Sequence, residues 1–140
     1  MLSDWALAAS GVRARYYRAL FLGASVWNAL SAGAVLFFLA NAKSRQEMGF
    51  PGAPDTISLQ LLASCLFLFG LGYYWVSQDI SRNRDLVKLG AIGKPLVFLV
   101  FFGHALAGDI SWLLTAPSLM DLLFGALFLE FLVRGDSKAQ

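Results

Sequence analysis

The chain has 140 residues, enough for one domain; it is 58% hydrophobic and only 14% charged, with a mean hydropathy of +0.63. Soluble domains are usually about 45–50% apolar and about 25% charged, so the apolar excess is more than a small water-soluble core buries. A net charge of +2 gives no basis for a nucleic-acid partner. The single cysteine, Cys65, excludes an internal disulfide and the paired cysteines of four-helix thiol-oxidising membrane enzymes.

At the N-terminus, Leu2, Trp5, Ala9, Val12 and Tyr16 recur at helical spacing, with Arg13, Arg15 and Arg18 close by. This pattern predicts a short interfacial helix lying on anionic lipid. Residues 40–42, ANA, resemble a signal-peptide cleavage site, but the apolar stretch before them exceeds the usual h-region of about 7–15 residues. Residues 19–40 carry no charge, which predicts a first membrane span at about 17–41. Asn28 lies near its middle, one turn from Ser31.

The connection AKSRQEMGFPGAPD, residues 42–55, holds two prolines and two glycines and reads as a surface loop. Residues 56–78 are again uncharged and form the second expected span. At ~1.5 Å per residue, both runs suffice for a hydrocarbon core of ~30 Å. Gln60 and Ser64 are spaced i,i+4 in this span.

The apolar region from Leu89 to Val133 is 45 residues long. A single helix of that length would measure roughly 67 Å, so the chain must turn back. Asp109 and Pro117 place the turn in GDISWLLTAP, residues 108–117. The third and fourth spans are then about 88–109 and 116–134.

Basic residues set the orientation. Arg13, Arg15, Arg18, Arg82, Arg84, Lys88, Lys94, Arg134 and Lys138 fall on one side, and only Lys43 and Arg45 on the other. Both termini are therefore expected in the cytoplasm. Tyr16, Tyr17, Tyr73, Tyr74 and Trp75 mark that interface, and Trp112 the opposite one. The expected fold is all-α: a four-helix transmembrane bundle in a single integral membrane domain over residues 1–140, in a bacterial inner membrane.

Ionisable groups at membrane depth are costly and point to function or to pairing. Lys94, His104, Asp121 and Glu130 all lie in the last helical hairpin. A turn centred near 112–113 sets His104 level with Asp121, and Lys94 level with Glu130. Asp121 and Glu130 lie on opposite helix faces, so one straight seam does not hold both pairs. The expected site is His104 with Asp121 in the outer half of the bundle, with Asn28 and Gln60 shaping a ligand pocket. The structural alternatives are Asp121 at a helix N-terminus and His104 either bonded to a neighbouring helix or reaching the outer interface. Lys94 is expected to snorkel to the headgroups as a topology anchor, and Glu130 to pair with Arg134 at i,i+4. Ala29 with Gly33, and Gly103 with Ala107, are small-xxx-small pairs that permit close helix approach.

The GLG at 70–72 lacks the strand and third glycine of a dinucleotide fingerprint. One histidine does not supply paired haem ligands or a His-rich zinc site. No catalytic residue, cofactor or metal is expected. The expected partners are the lipid bilayer and either further copies of the chain or a larger membrane complex.

The stretch YYWVSQDISRNRDLVKLGAIGKPLVF, residues 73–98, resembles a pattern in small bacterial four-helix integral membrane proteins of about this length. Those proteins carry an aspartate, two arginines and LGxxGK between the second and third spans. Here the matching residues are Asp79, Arg82, Arg84, Leu89, Gly90, Gly93 and Lys94, and DLLFGALFLEFL at 121–132 is also similar. The resemblance implies topology and no particular activity. Three readings of function follow. The first is a protein that binds or conducts a proton, ion or small amphipathic ligand through the polar pocket. The second is a non-catalytic accessory or assembly subunit. The third is a lipid-modifying enzyme using His104 or a carboxylate as acid–base.

Overall fold

The computed structural model describes residues 4–47 and 55–136, which are helical apart from short turns. In chain order the elements are α1 (Asp4–Ala34), a π-helical turn (Val35–Leu39), α2 (Ala42–Glu47), α3 (Thr56–Gln78), α4 (Arg84–Ala107), α5 (Trp112–Thr115) and α6 (Ser118–Asp136). Leu2, Lys138 and the second half of the expected first loop, residues 48–54, lie outside the described residues.

Four helical stretches are long and apolar enough to cross a membrane: Gly11–Phe38, Thr56–Gln78, Arg84–Ala107 and Trp112–Arg134. Their outward faces carry Leu30, Phe37, Ile57, Ile92, Leu113 and Val133, all well exposed, which suits hydrocarbon rather than water as the surrounding solvent. Two sequence expectations change. Residues 4–18 continue directly into the first long helix, so no separate short helix precedes it. The first half of the 42–55 connection is helical, as α2, and buries none of its residues.

Three of the long-helix ends have a local cause. Asp55 caps α3, its carboxylate accepting from the Ser58 amide and hydroxyl at 3.1 Å each. At the other end of α3, Asp79 accepts from the Ser81 hydroxyl at 2.6 Å and amide at 3.0 Å, closing the turn into α4. These bonds, led by the Ser81 hydroxyl, hold the Asp79 carboxyl below the usual carboxylate range. Gly108 terminates α4 in the left-handed region, at φ 80°, where a side chain would be strained.

The helices pair as two hairpins, α1 against α3 and α4 against α6. The hairpins join through an aromatic core near the end that carries the termini. Tyr17 and Phe21 of α1, Tyr73 and Val76 of α3, Val87 of α4, and Phe124, Phe128 and Phe131 of α6 are all buried there. Phe128 stands 5.0 Å from both Phe21 and Tyr73, ring centroid to ring centroid, and Phe131 stands 4.9 Å from Tyr17. Lipid tails are as apolar as these rings, so shape and ring geometry hold the helices together more than burial does. Edge-on aromatic pairs contribute about 0.5–1.5 kcal/mol each beyond area. Arg84 ties the α3–α4 turn to the same end, donating to the Leu132 carbonyl at 3.2 Å.

Candidate functional site

A polar centre lies directly beside this aromatic core. Lys94 falls near the middle of α4 and Asp121 near the middle of the Trp112–Arg134 stretch. Lys94 Nζ is 2.6 Å from Asp121 Oδ1 and donates to Asn28 Oδ1 at 2.9 Å. Asn28 Nδ2 in turn donates to the Leu66 carbonyl at 3.3 Å. One chain of hydrogen bonds therefore joins α1, α3, α4 and α6. The Lys94 side chain is only 6% exposed and that of Asp121 17%. The ammonium also stands 5.5 Å from the Tyr73 ring centre and 5.4 Å from that of Phe124, in range of cation–π attraction.

Glycines bring the helices close enough for this contact. A Cβ on Gly70 would stand 3.2 Å from Asn28 Cβ and 3.1 Å from the Ser25 carbonyl oxygen, so α1 and α3 nearly touch beside the amide. Gly90 is one turn before Lys94; a Cβ there would meet the Tyr73 hydroxyl at 2.5 Å and the Phe128 ring at 2.9 Å. Gly125 is one turn after Asp121 and faces the Pro95 ring. Each glycine is thus next to a polar group of the network, and each sits where a side chain would push the helices apart.

The structure separates the residues that the sequence grouped. His104 does not meet Asp121. Its Nδ1 is 2.8 Å from Asp109 Oδ2, and its side chain is 59% exposed. The α4–α6 hairpin turns at residues 108–111, because helix resumes at Trp112 rather than near 116. Pro95 consequently stands against Gly125, and the lysine's four-carbon stem covers the remaining turn to Asp121. Lys94 is therefore buried and paired, not snorkelling, and it does not pair with Glu130. Glu130 lies 3.3 Å from Arg134 in an i,i+4 pair.

Gln60 lies apart from the polar centre. It lines an open groove of ≈720 Å³ between α1 and α3 with Ala29, Ala32, Gly33, Ala63 and Phe67. Ser64 Oγ donates to the Gln60 carbonyl at 2.8 Å. Among the described residues, no three His, Cys, Asp or Glu side chains gather as a metal site.

Comparison with known proteins finds no matching family model, curated protein or solved structure. The site is therefore read from its own chemistry. An ammonium and a carboxylate at mid-span each carry a large desolvation cost, offset by their mutual attraction and by the Asn28 amide. Such a centre can hold a proton, exchange one ion for another, or lock four helices in register.

Proposed function

We propose that this protein binds or conducts a proton, an ion or a small amphipathic ligand across a membrane, with Lys94, Asp121 and Asn28 as the binding centre. The observation that carries the reading is the Lys94–Asp121 pair, buried at mid-span and completed by an amide from a third helix. Ionisable residues at that depth mark ion and proton paths more often than packing. Four helices of this size enclose little space, so conduction would require assembly of several copies. Seven basic residues flank the spans at the end carrying the termini, Arg13, Arg15, Arg18, Arg82, Arg84, Lys88 and Arg134, and support a cytoplasmic placement of both termini and an inner-membrane location.

The test is purified protein in liposomes loaded with a pH-sensitive dye, with an ion or pH gradient imposed. Wild type should dissipate the gradient faster than empty liposomes, and Lys94→Met and Asp121→Asn should each abolish the difference. Equal flux in all three proteins would remove the reading.

A second reading, an accessory subunit of a larger membrane complex, has its own observation. A Cβ added to Gly33 or Gly103 would meet nothing within 4 Å, so no described residue packs onto these small-residue faces. A foreign subunit in stoichiometric amounts, seen by intact-complex mass measurement from native lipid discs, would favour it.

A further inference from the structure

We infer that the groove between α1 and α3 holds one phospholipid of the leaflet opposite the termini. An acyl chain lies along its floor, an ester carbonyl accepts from the Gln60 amide, and the phosphate meets Lys43 and Arg45. The groove shares no residue with the Lys94–Asp121 centre, so the inference stands apart from the conduction reading.

The hollow comes from small residues. Its floor is Ala29, Ala32 and Gly33 of α1 with Ala63 and Ser64 of α3, too small to fill the ≈720 Å³ there. A Cβ on Gly33 would meet nothing within 4 Å. Nearer the termini the helices close up, where Gly70 of α3 lies against Ser25 and Asn28 of α1. The opening is therefore confined to one half of the membrane. From Gln60 to Phe67 it is about 10 Å long at ~1.5 Å per residue, most of the ~15 Å of hydrocarbon in one leaflet.

Length and shape select the occupant. A transmembrane helix would need a matching face along the whole span. A second copy docked by the same face would lay one hollow on another, and the void between them would forfeit packing attraction. A flexible chain confined to one leaflet fills such a hollow.

Polar groups stand where a phospholipid has its own. Gln60 is one turn inside the Thr56 start of α3, at the edge of the hydrocarbon, where ester carbonyls lie. The Ser64 hydroxyl is spent on the Gln60 backbone carbonyl, and the Gln60 side-chain amide has no hydrogen-bond partner among the described residues. An unpaired amide facing hydrocarbon is costly, and its N–H group can donate to an ester carbonyl at that depth. Leu36, at the mouth of the groove, belongs to the π-helical turn that leads into α2. Lys43 and Arg45 of α2 are the two Lys or Arg residues at this end among those described. Arg45 is held at the mouth, donating at 2.9 Å to the Ala40 carbonyl, one turn beyond Leu36. Glu47 on α2 and Asp55 at the start of α3 balance the two cations. The mouth thus suits a phosphate rather than a large net negative charge.

The test is native mass measurement of the full chain in nonionic detergent micelles titrated with 1-palmitoyl-2-oleoyl-phosphatidylethanolamine, every variant first shown to keep wild-type helix content. Wild type should retain one lipid per chain. Gly33→Leu fills the groove and should lose it. Gly103→Leu, an equal insertion into open space on α4, should keep it. Gln60→Leu should weaken binding about three- to tenfold, the effect of one neutral hydrogen bond. Dioleoylglycerol, which has the esters but no phosphate, should bind wild type about tenfold more weakly or worse. No lipid on wild type, full retention by Gly33→Leu, equal loss in Gly103→Leu, or equal binding of dioleoylglycerol would overturn the inference. A lipid-free wild-type dimer that separates in Gly33→Leu would overturn it in favour of a second copy on this face.

Discussion

A methyl group on Gly125 would stand 2.7 Å from Cδ of Pro95, so α4 and α6 cross at a point where only hydrogen fits. Pro95 is rigid and cannot swing away. Gly125→Ala should therefore destabilise the bundle by about 1–3 kcal/mol, the usual range for overpacking. Gly90→Ala should do the same, since Tyr73 and Phe128 crowd that position. Gly33→Ala, into open space, should be nearly neutral. Unfolding in mixed detergent micelles, followed by helix content, would check the ranking.

Asn28 bonds to α3 through its amide nitrogen and to α4 through its oxygen. Asn28→Leu removes both bonds and keeps the number of side-chain heavy atoms. The expected loss is about 1–2 kcal/mol, the upper part of the range for interhelical polar contacts. The same unfolding measurement reads it.

The four apolar helices were legible because charge-free runs of membrane length leave few alternatives. The site was legible only in its members. Lys94, Asp121 and Asn28 each stood out as polar groups in apolar helices, but their pairing depends on where the hairpin turns. Residues 112–115 look like part of a turn because Asp109 and Pro117 flank them. In the structure they are helical, and this shift moves Asp121 from His104 to Lys94. The available signal was the placement of Gly90 and Gly125, each one turn from a partner of the ion pair. Gly90 stands out in the sequence only through LGxxGK. The aromatic layer gave no warning, since Phe21, Phe124 and Phe128 sit in runs of equally apolar neighbours facing lipid.

His104 and Asp109 pair at the exposed end of α4, away from the buried centre. His104→Ala should leave liposome flux at wild-type levels. A strong loss would return His104 to the functional site.

Asp55 caps α3, and its bonds from the Ser58 amide and hydroxyl hold its carboxyl below the usual range. A depressed carboxylate pKa stabilises the folded state above the unfolded value of about 3.9 and loses that contribution as pH falls through the folded value. Asp55→Ala should speed hydrogen exchange of the Ser58 amide at neutral pH. The difference from wild type should vanish once the pH lies below the folded-state value.

The account depends most on the Lys94–Asp121 contact, and a double-mutant cycle tests it most directly. Lys94→Met and Asp121→Leu, singly and together, would be unfolded in the same micelles. Lys94→Met leaves a buried carboxylate with no charged partner and should destabilise by about 3–5 kcal/mol; Asp121→Leu leaves the ammonium on the Asn28 oxygen and two ring faces and should cost less. The double variant should recover most of that loss, giving a coupling of about 2 kcal/mol or more. Additive losses, or two harmless single changes, would show that the ammonium and carboxylate do not meet in the membrane.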